Sequence, residues 1–359
     1  MNLFSGIYQN RRVLITGHTG FKGSWLALWL HQIGAKVFGV ALPPETQPNH
    51  WDLLDLPIND RRVDIRDAKQ LQDFFLEIQP EIVFHLAAQP LVRRSYRDPL
   101  ETWSTNVMGT ANVLEACRMT RSVRATVVVT TDKCYENQEW PWGYRENDRL
   151  GGHDPYSASK AGAELVAASY RSAFFMAPQS PLLATARAGN VIGGGDWSED
   201  RLIPDLVRAA VNKQPLEIRS PNATRPWQHV LESLSGYLLL GQKLLQGTSA
   251  FAEPWNFGPE SEGNRSVADV LKKLSDQWPE LEWRATDAPR PHEATLLYLD
   301  SAKARSQLNW KPVWGLDTTL AKTAEWYQTW LNGRQVISQQ QLNDYIEAAQ
   351  RARAVWAGS

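Results

Sequence analysis

Cysteine, net charge and long apolar runs are all scarce in this 359-residue chain, and each scarcity removes a class of protein. The two cysteines, Cys117 and Cys134, make neither a disulfide framework nor a zinc-ligand spacing. Reduced packing thiols and no metal site are expected. With 38 Lys and Arg against 39 Asp and Glu, the formal net charge of -1 offers no global attraction to nucleic acid or to an anionic membrane. Any anion must therefore be held locally. No apolar stretch is long enough to span a bilayer, and Met1 to Asn10 lack the basic region and apolar run of a signal peptide. A soluble cytoplasmic protein is expected. Tryptophan, by contrast, is abundant at 16 residues, several of them in Pro/Gly-rich segments: Trp140, Trp142, Trp197, Trp227 and Trp255. Core or lid packing is their ordinary role.

The first half alternates short apolar runs with helical patterns, the pattern of βαβ units on a parallel sheet. Arg12 to Thr16 reads as a strand, followed by a helix whose apolar face carries Phe21, Trp25, Leu28, Trp29 and Ile33 and which Gly34 would end. Strands are expected over Lys36 to Leu42, near Val63, and over Glu81 to His85, with Asp67 capping a helix that buries Leu71, Phe74, Phe75 and Ile78. Thr102 to Met119 reads as one helix, Ala125 to Val129 as a strand, Tyr156 to Phe175 as a helix and Leu182 to Arg187 as a strand. The architecture implied is α/β, a Rossmann-type doubly wound parallel sheet with a smaller C-terminal substrate-binding lobe. Residues 1–190 would form the nucleotide-binding domain, rejoined by about 229–257, with 191–228 and 258–359 supplying the lobe and C-terminal helices. Beyond Leu316 the pattern is amphipathic helices and a polar tail, with no chemical role evident.

Gly17-His18-Thr19-Gly20-Phe21-Lys22-Gly23 lies between the first strand and the first helix. Glycines at that spacing allow a tight turn and close backbone approach, so that a pyrophosphate can sit on the helix N-terminus. Asp64 and Ile65 would offer a carboxylate and a backbone amide to an adenine, and Leu86, Ala87 and Ala88 place small residues beside a bound dinucleotide. One expected feature is missing. The second strand ends Val40-Ala41-Leu42-Pro43-Pro44, with no acid to hold the adenosine ribose. His18 and Lys22 could contact the adenosine side, even a 2′-phosphate, which leaves NADP open beside NAD.

Chemistry is carried by two segments. Thr131, Asp132 and Lys133 follow a strand's carboxyl end, where ligands bind in open α/β sheets. Tyr156 and Lys160 stand at i and i+4 on one helix face, where the ammonium can hold the phenol partly ionised. A phenolate is a base for a sugar or alcohol hydroxyl.

These motifs resemble the extended short-chain dehydrogenase/reductases of the NAD-dependent epimerase/dehydratase family, in particular their CDP-glucose dehydratase branch. The resemblance spans nearly the whole chain and includes Thr16 to Trp25, His85 to Arg93, Thr131 to Tyr135, Trp142 to Asn147, Arg187 to Trp197 and Arg225 to His229. It implies CDP-glucose as substrate, NAD recycled within each turnover, a homodimer or homotetramer, and a place in deoxysugar or O-antigen biosynthesis. Tyr156 would take the C4 hydroxyl proton, Thr131 would bond the C4 oxygen, and Asp132, when protonated, would donate to the departing C6 hydroxyl. In sister dTDP-glucose dehydratases the tripeptide ends in Glu. Lys133 stands there instead, either a C5 base when neutral or a group that polarises the ketone. A diphosphate needs cations or amides, and Asn190, Arg201, Arg219 and Arg225 lie in the lobe where it would sit; Arg225 resembles the family's diphosphate-binding arginine, while Arg201 and Arg219 could equally be surface charges. Gln89 would be a further substrate contact, and Arg93, Trp197 and His229 weaker ones.

Overall fold

The computed structural model describes residues 2–286 and 295–358. Its principal elements are β1 (Arg12–Thr16), α1 (Phe21–Gln32), β2 (Lys36–Ala41), β3 (Asn59–Arg62), α2 (Ala68–Ile78), β4 (Ile82–His85), α3 (Gly109–Met119), β5 (Ala125–Val129), α4 (Pro155–Phe174), β6 (Leu182–Ala188), α5 (Leu202–Val211), α6 (Val230–Leu245), β7 (Pro254–Phe257), α7 (Leu316–Gly333) and α8 (Ser338–Arg351). The seven strands form one sheet in the order β7-β6-β5-β4-β1-β2-β3. Every neighbouring pair is parallel. The strand order reverses between β1 and β4, which opens a crevice at their carboxyl ends.

The central strands are covered on both faces, which is why β1, β4 and β5 are apolar on both sides, whereas the edge strand β3 is polar and largely exposed. Val13, Ile15, Ile82, Phe84, Val127 and Val129 join the core under α1 and α6, while Leu14, Val83 and Val128 join the core under α2, α3 and α4. Local chemistry sets the helix ends as expected. Asp67 accepts from the Gln70 amide at 3.0 Å, and Gly34 leaves α1 at φ +80°.

Thr102 to Met119 is not one regular helix. A short helix, Pro99–Trp103, runs into a π turn, Ser104–Met108, before α3 begins at Gly109. The wide turn aims Asn106 inward. Its side chain accepts from Gln89 N at 2.9 Å and donates to Gln89 O at 3.1 Å and Ser159 Oγ at 2.9 Å, joining the β4 exit to α4.

The C-terminal segment is no polar tail. Trp356 stacks on Phe4 at 5.3 Å and on Tyr345 at 5.7 Å, and meets Trp29 of α1 edge-on. Glu232 on α6 accepts from the amides of Val313 and Trp314 and from the Tyr345 hydroxyl. Burial pushes its carboxyl up to about 7.

Among the described residues, three histidines are buried without a carboxylate among their hydrogen-bond partners. His50 bridges Ser24 and Ser338, His85 bridges Thr16 and Thr110, and His229 caps α6. Burial lowers each imidazole to about 3. In the unfolded chain each would titrate near its ordinary value, so protons bind the unfolded state first as the pH falls. The stability from these neutral rings is therefore complete above about 6.5 and is lost progressively toward pH 3, by about 2 kcal/mol per ring at pH 5. The urea midpoint should drop clearly between pH 7 and pH 5; an unchanged midpoint would contradict the neutral burial.

Candidate active site

The glycine loop is shaped by close approach. Gly17 sits at φ +77°, and a Cβ there would lie 2.6 Å from the Ala87 nitrogen. A Cβ on Gly23 would lie 2.1 Å from the Gly17 carbonyl oxygen. The loop is thereby pressed between β1, β4 and α1, and Thr16 Oγ1 fastens it by accepting from the Leu86 and Ala87 amides, each at 3.2 Å. Gly20 caps α1 without a side chain, so the first amides of α1 remain open to an anion. This cradle fits a dinucleotide pyrophosphate.

At the far end of the loop, His18 is fully buried. Its Nε2 lies 2.9 Å from Asp60 Oδ2 and 3.0 Å from Arg62 Nη1, and its ring meets Trp51 edge-on at 4.5 Å. The Asp64 carboxylate is taken up by Arg66, which holds it below the usual carboxylate range. Ile65 is buried, with its carbonyl accepting from Asn112 at 2.9 Å.

Beyond β5 the chain turns so that Thr131 Oγ1 donates to Asp132 Oδ1 at 2.9 Å. Asp132 is buried, and its Oδ2 has no hydrogen-bond partner among the described residues. Lys133 Nζ stands 4.0 Å from Asp132 Oδ1 with its side chain 19% exposed. An uncapped carboxylate oxygen at the mouth of a crevice is placed to meet a ligand. Tyr156 enters in the first turn of α4, which Asp154 caps by accepting from Ser157 N at 2.9 Å.

The phenol differs from the expectation of partial ionisation by Lys160. Burial pushes Tyr156 up to about 12, opposed by the Thr131 hydroxyl and by Arg201, while Asp132 raises it further. Lys160 Nζ instead donates to the Val129 carbonyl at 3.4 Å and is itself lowered to about 8, burial outweighing the Glu164 carboxylate. Desolvation dominates this crevice before any ligand enters.

Lys22 also departs from the adenosine side on which it was expected. The charges acting on it are Arg201, Asp132 and Lys160, and burial lowers it to about 7. Its Nζ reaches Tyr237 Oη on α6 at 3.5 Å. Tyr237, pushed up by burial and influenced by Asp132 and Tyr156, belongs to the same group. Nothing in the apolar run Leu238-Leu239-Leu240 around it marked it out.

The model of the GDP-mannose 4,6 dehydratase family matches residues 14–323. The chain belongs to that family. It is 48% identical over 353 residues to the CDP-glucose 4,6-dehydratase of Salmonella typhimurium, covering 96% of this chain and 98% of that one. Its fold is similar to that of epimerase Mth375 from Methanothermobacter thermautotrophicus, with a TM-score of 0.80 at 25% identity over 92% of this chain and 97% of that one. It is also similar to MoeE5 in complex with UDP-glucose and NAD, with a TM-score of 0.74 at 27% identity over 89% and 99%.

In this dehydratase the arginines named from sequence have different surroundings. Arg201 pairs with Asp196 at 3.0 Å, yet still acts on Tyr156. Arg93 pairs with Asp200 across the surface. Arg225 is buried, donates only to the carbonyls of Thr224 and Thr295, and has no carboxylate partner among the described residues. Arg219 follows the short strand Leu216–Ile218 and is half-buried, and Asn190 follows β6 with its carbonyl accepting from Gln228 at 3.1 Å. The remaining three sit in packed positions. The Gln89 amide is consumed by Leu91 and Thr102. Trp197 packs against Tyr327 and Trp330, and His229 lies between Trp25 and Trp314.

Proposed function

We propose that the chain is a CDP-glucose 4,6-dehydratase, converting CDP-D-glucose to CDP-4-dehydro-6-deoxy-D-glucose and water. The observation that carries this reading is full-length identity of 48% to a CDP-glucose 4,6-dehydratase. The Thr131, Asp132, Lys133, Tyr156 and Lys160 group at the carboxyl end of β5 is the chemistry such a reaction needs.

The glycine loop, Gly17 to Gly23, would hold NAD, which would supply a hydride acceptor at the start of the cycle and a donor at its end. Tyr156 takes the proton of the C4 hydroxyl, with Thr131 bonding the C4 oxygen, while Lys160, one turn on along α4, is held on the Val129 carbonyl. The C4 ketone acidifies the C5 hydrogen. Asp132 delivers a proton to the departing C6 hydroxyl, and its unpartnered Oδ2 is the atom for that task. Lys133, beside Asp132, removes the C5 proton or stabilises the enolate. Arg225, a buried cation without an acid among the described residues, is the first diphosphate ligand, joined by Arg201, Arg219 and Asn190.

The deciding experiment incubates the protein and NAD⁺ with CDP-, dTDP- and UDP-glucose separately and follows loss of water by mass. Product from CDP-glucose alone is expected. Unchanged mass with all three would sink the dehydratase reading in favour of an epimerase.

The same reading includes a homodimer or homotetramer in the cytoplasm. Leu100, Trp103, Met108 and Leu165 lie exposed along the Pro99–Trp103 helix, the π turn and α4, at 79%, 41%, 57% and 60%. Apolar side chains grouped in that way suit a partner copy. Light scattering should give at least twice the chain mass, and Leu165→Glu should shift it toward the monomer; a monomeric wild type would refute the assembly.

A further inference from the structure

The missing acid at the end of β2 has a structural counterpart one strand away. Gly17 N bonds the Val40 carbonyl at 2.8 Å, so the next residue, Ala41, stands where the ribose acid of a dinucleotide fold would be. In the parallel register Gly39 pairs with Asp60 and Ala41 with Arg62, which puts these four residues on one sheet face. Gly39 lacks a side chain, and the His18 ring fills the space: a Cβ there would be 2.6 Å from its Cγ and Nδ1. From that position His18 reaches Asp60 Oδ2 at 2.9 Å, and Arg62 closes on the same oxygen. Oδ1 carries no hydrogen bond among the described residues, and the Asp60 side chain is 26% exposed.

We propose that Asp60 on β3 receives the adenosine ribose hydroxyls in place of the absent β2 acid, fixed by His18 and Arg62, and that its carboxylate excludes a 2′-phosphate. The inference rests on the NAD reading above. Arg62 does not reverse the preference, because Asp60 already neutralises it. A phosphate at the 2′ position would meet the carboxylate and a guanidinium that is already paired. His18 is held below its usual range chiefly by burial, so the cluster carries no surplus positive charge near neutral pH.

The test is equilibrium binding to the full chain without sugar, read by tryptophan quenching, using NAD⁺, 2′-deoxy-NAD⁺ and NADP⁺. Wild type should bind NAD⁺ roughly tenfold or more tightly than 2′-deoxy-NAD⁺, as expected for a hydrogen bond to a charged acceptor. Asp60→Asn should weaken NAD⁺ to about the level of the deoxy analogue, erase the difference between the two, and bring NADP⁺ closer to NAD⁺. Arg62→Ala, which leaves the carboxylate in place, should keep the preference for the hydroxyl. An Asp60→Asn protein that still discriminates as wild type does overturns the assignment alone. A wild type that binds none of the three overturns the cofactor reading and this assignment together.

Discussion

Tyr156→Phe should lower turnover of CDP-glucose by about 10²- to 10⁴-fold, the range for loss of a positioned acid/base group, with a smaller change in KM. The phenol is buried, and its hydrogen-bond environment is Thr131, so the ring of phenylalanine fits the same space and the fold should survive. The pH profile carries a second expectation. Burial pushes Tyr156 up to about 12 and Lys160 down to about 8, so near neutrality both hold their protons. The base form must therefore be generated as the pH rises, and kcat/KM should climb above neutrality, with a step near 8 where Lys160 gives up its charge. Lys160→Met removes a group that titrates near 8, so the step of the profile near that pH should disappear. A Tyr156→Phe enzyme with a tenth of normal turnover, or a Lys160→Met profile identical to wild type, would defeat this assignment.

Regular periodicity makes most of the sheet legible in the sequence. The alternation of apolar runs with Asp67- and Gly34-bounded helices reports local physics, capping and burial, that tertiary structure did not override. Tyr156 and Lys160 were legible for a similar reason, since i and i+4 fix a shared face once the segment is helical. What escaped depends on contacts far apart in sequence. The π turn at Ser104–Met108 follows from Asn106 reaching Gln89 and Ser159, which no local pattern encodes. Lys22 turns toward the catalytic group because Tyr237 is there to meet it, some two hundred residues on. Trp197 and His229 stood in segments rich in chemical residue types, yet their rings fill gaps between helices. The tail after the amphipathic C-terminal helices read as polar because most of its residues are; Tyr345 of α8 and Trp356 meet Trp29 of α1.

The Arg187 and Glu164 pair behind the catalytic helix should prove the most sensitive buried site in the protein. Both side chains are 2% exposed and stand 2.8 Å apart. Glu164 also accepts from Thr130 and Thr185, while Arg187 donates to Tyr135 and to the Glu146 carbonyl. The network spans β5, α4 and β6, and it keeps the Glu164 carboxyl below the usual range despite burial. Taking either charge out of water costs several kcal/mol, offset only while the other is present. Arg187→Met strands a buried carboxylate and should lose about 3–5 kcal/mol, read as a lower urea midpoint. Glu164→Leu should lose a similar amount by stranding the guanidinium. The double variant strands neither charge and should recover part of the loss, though not all, because Thr130, Thr185 and Tyr135 keep polar groups without their partners. Because Glu164 lies one turn beyond Lys160 on α4 and raises its pKa, Glu164→Leu should also lower the pH at which the lysine gives up its charge. A double variant no more stable than the sum of the singles would show that the two side chains contribute independently and are not a coupled pair.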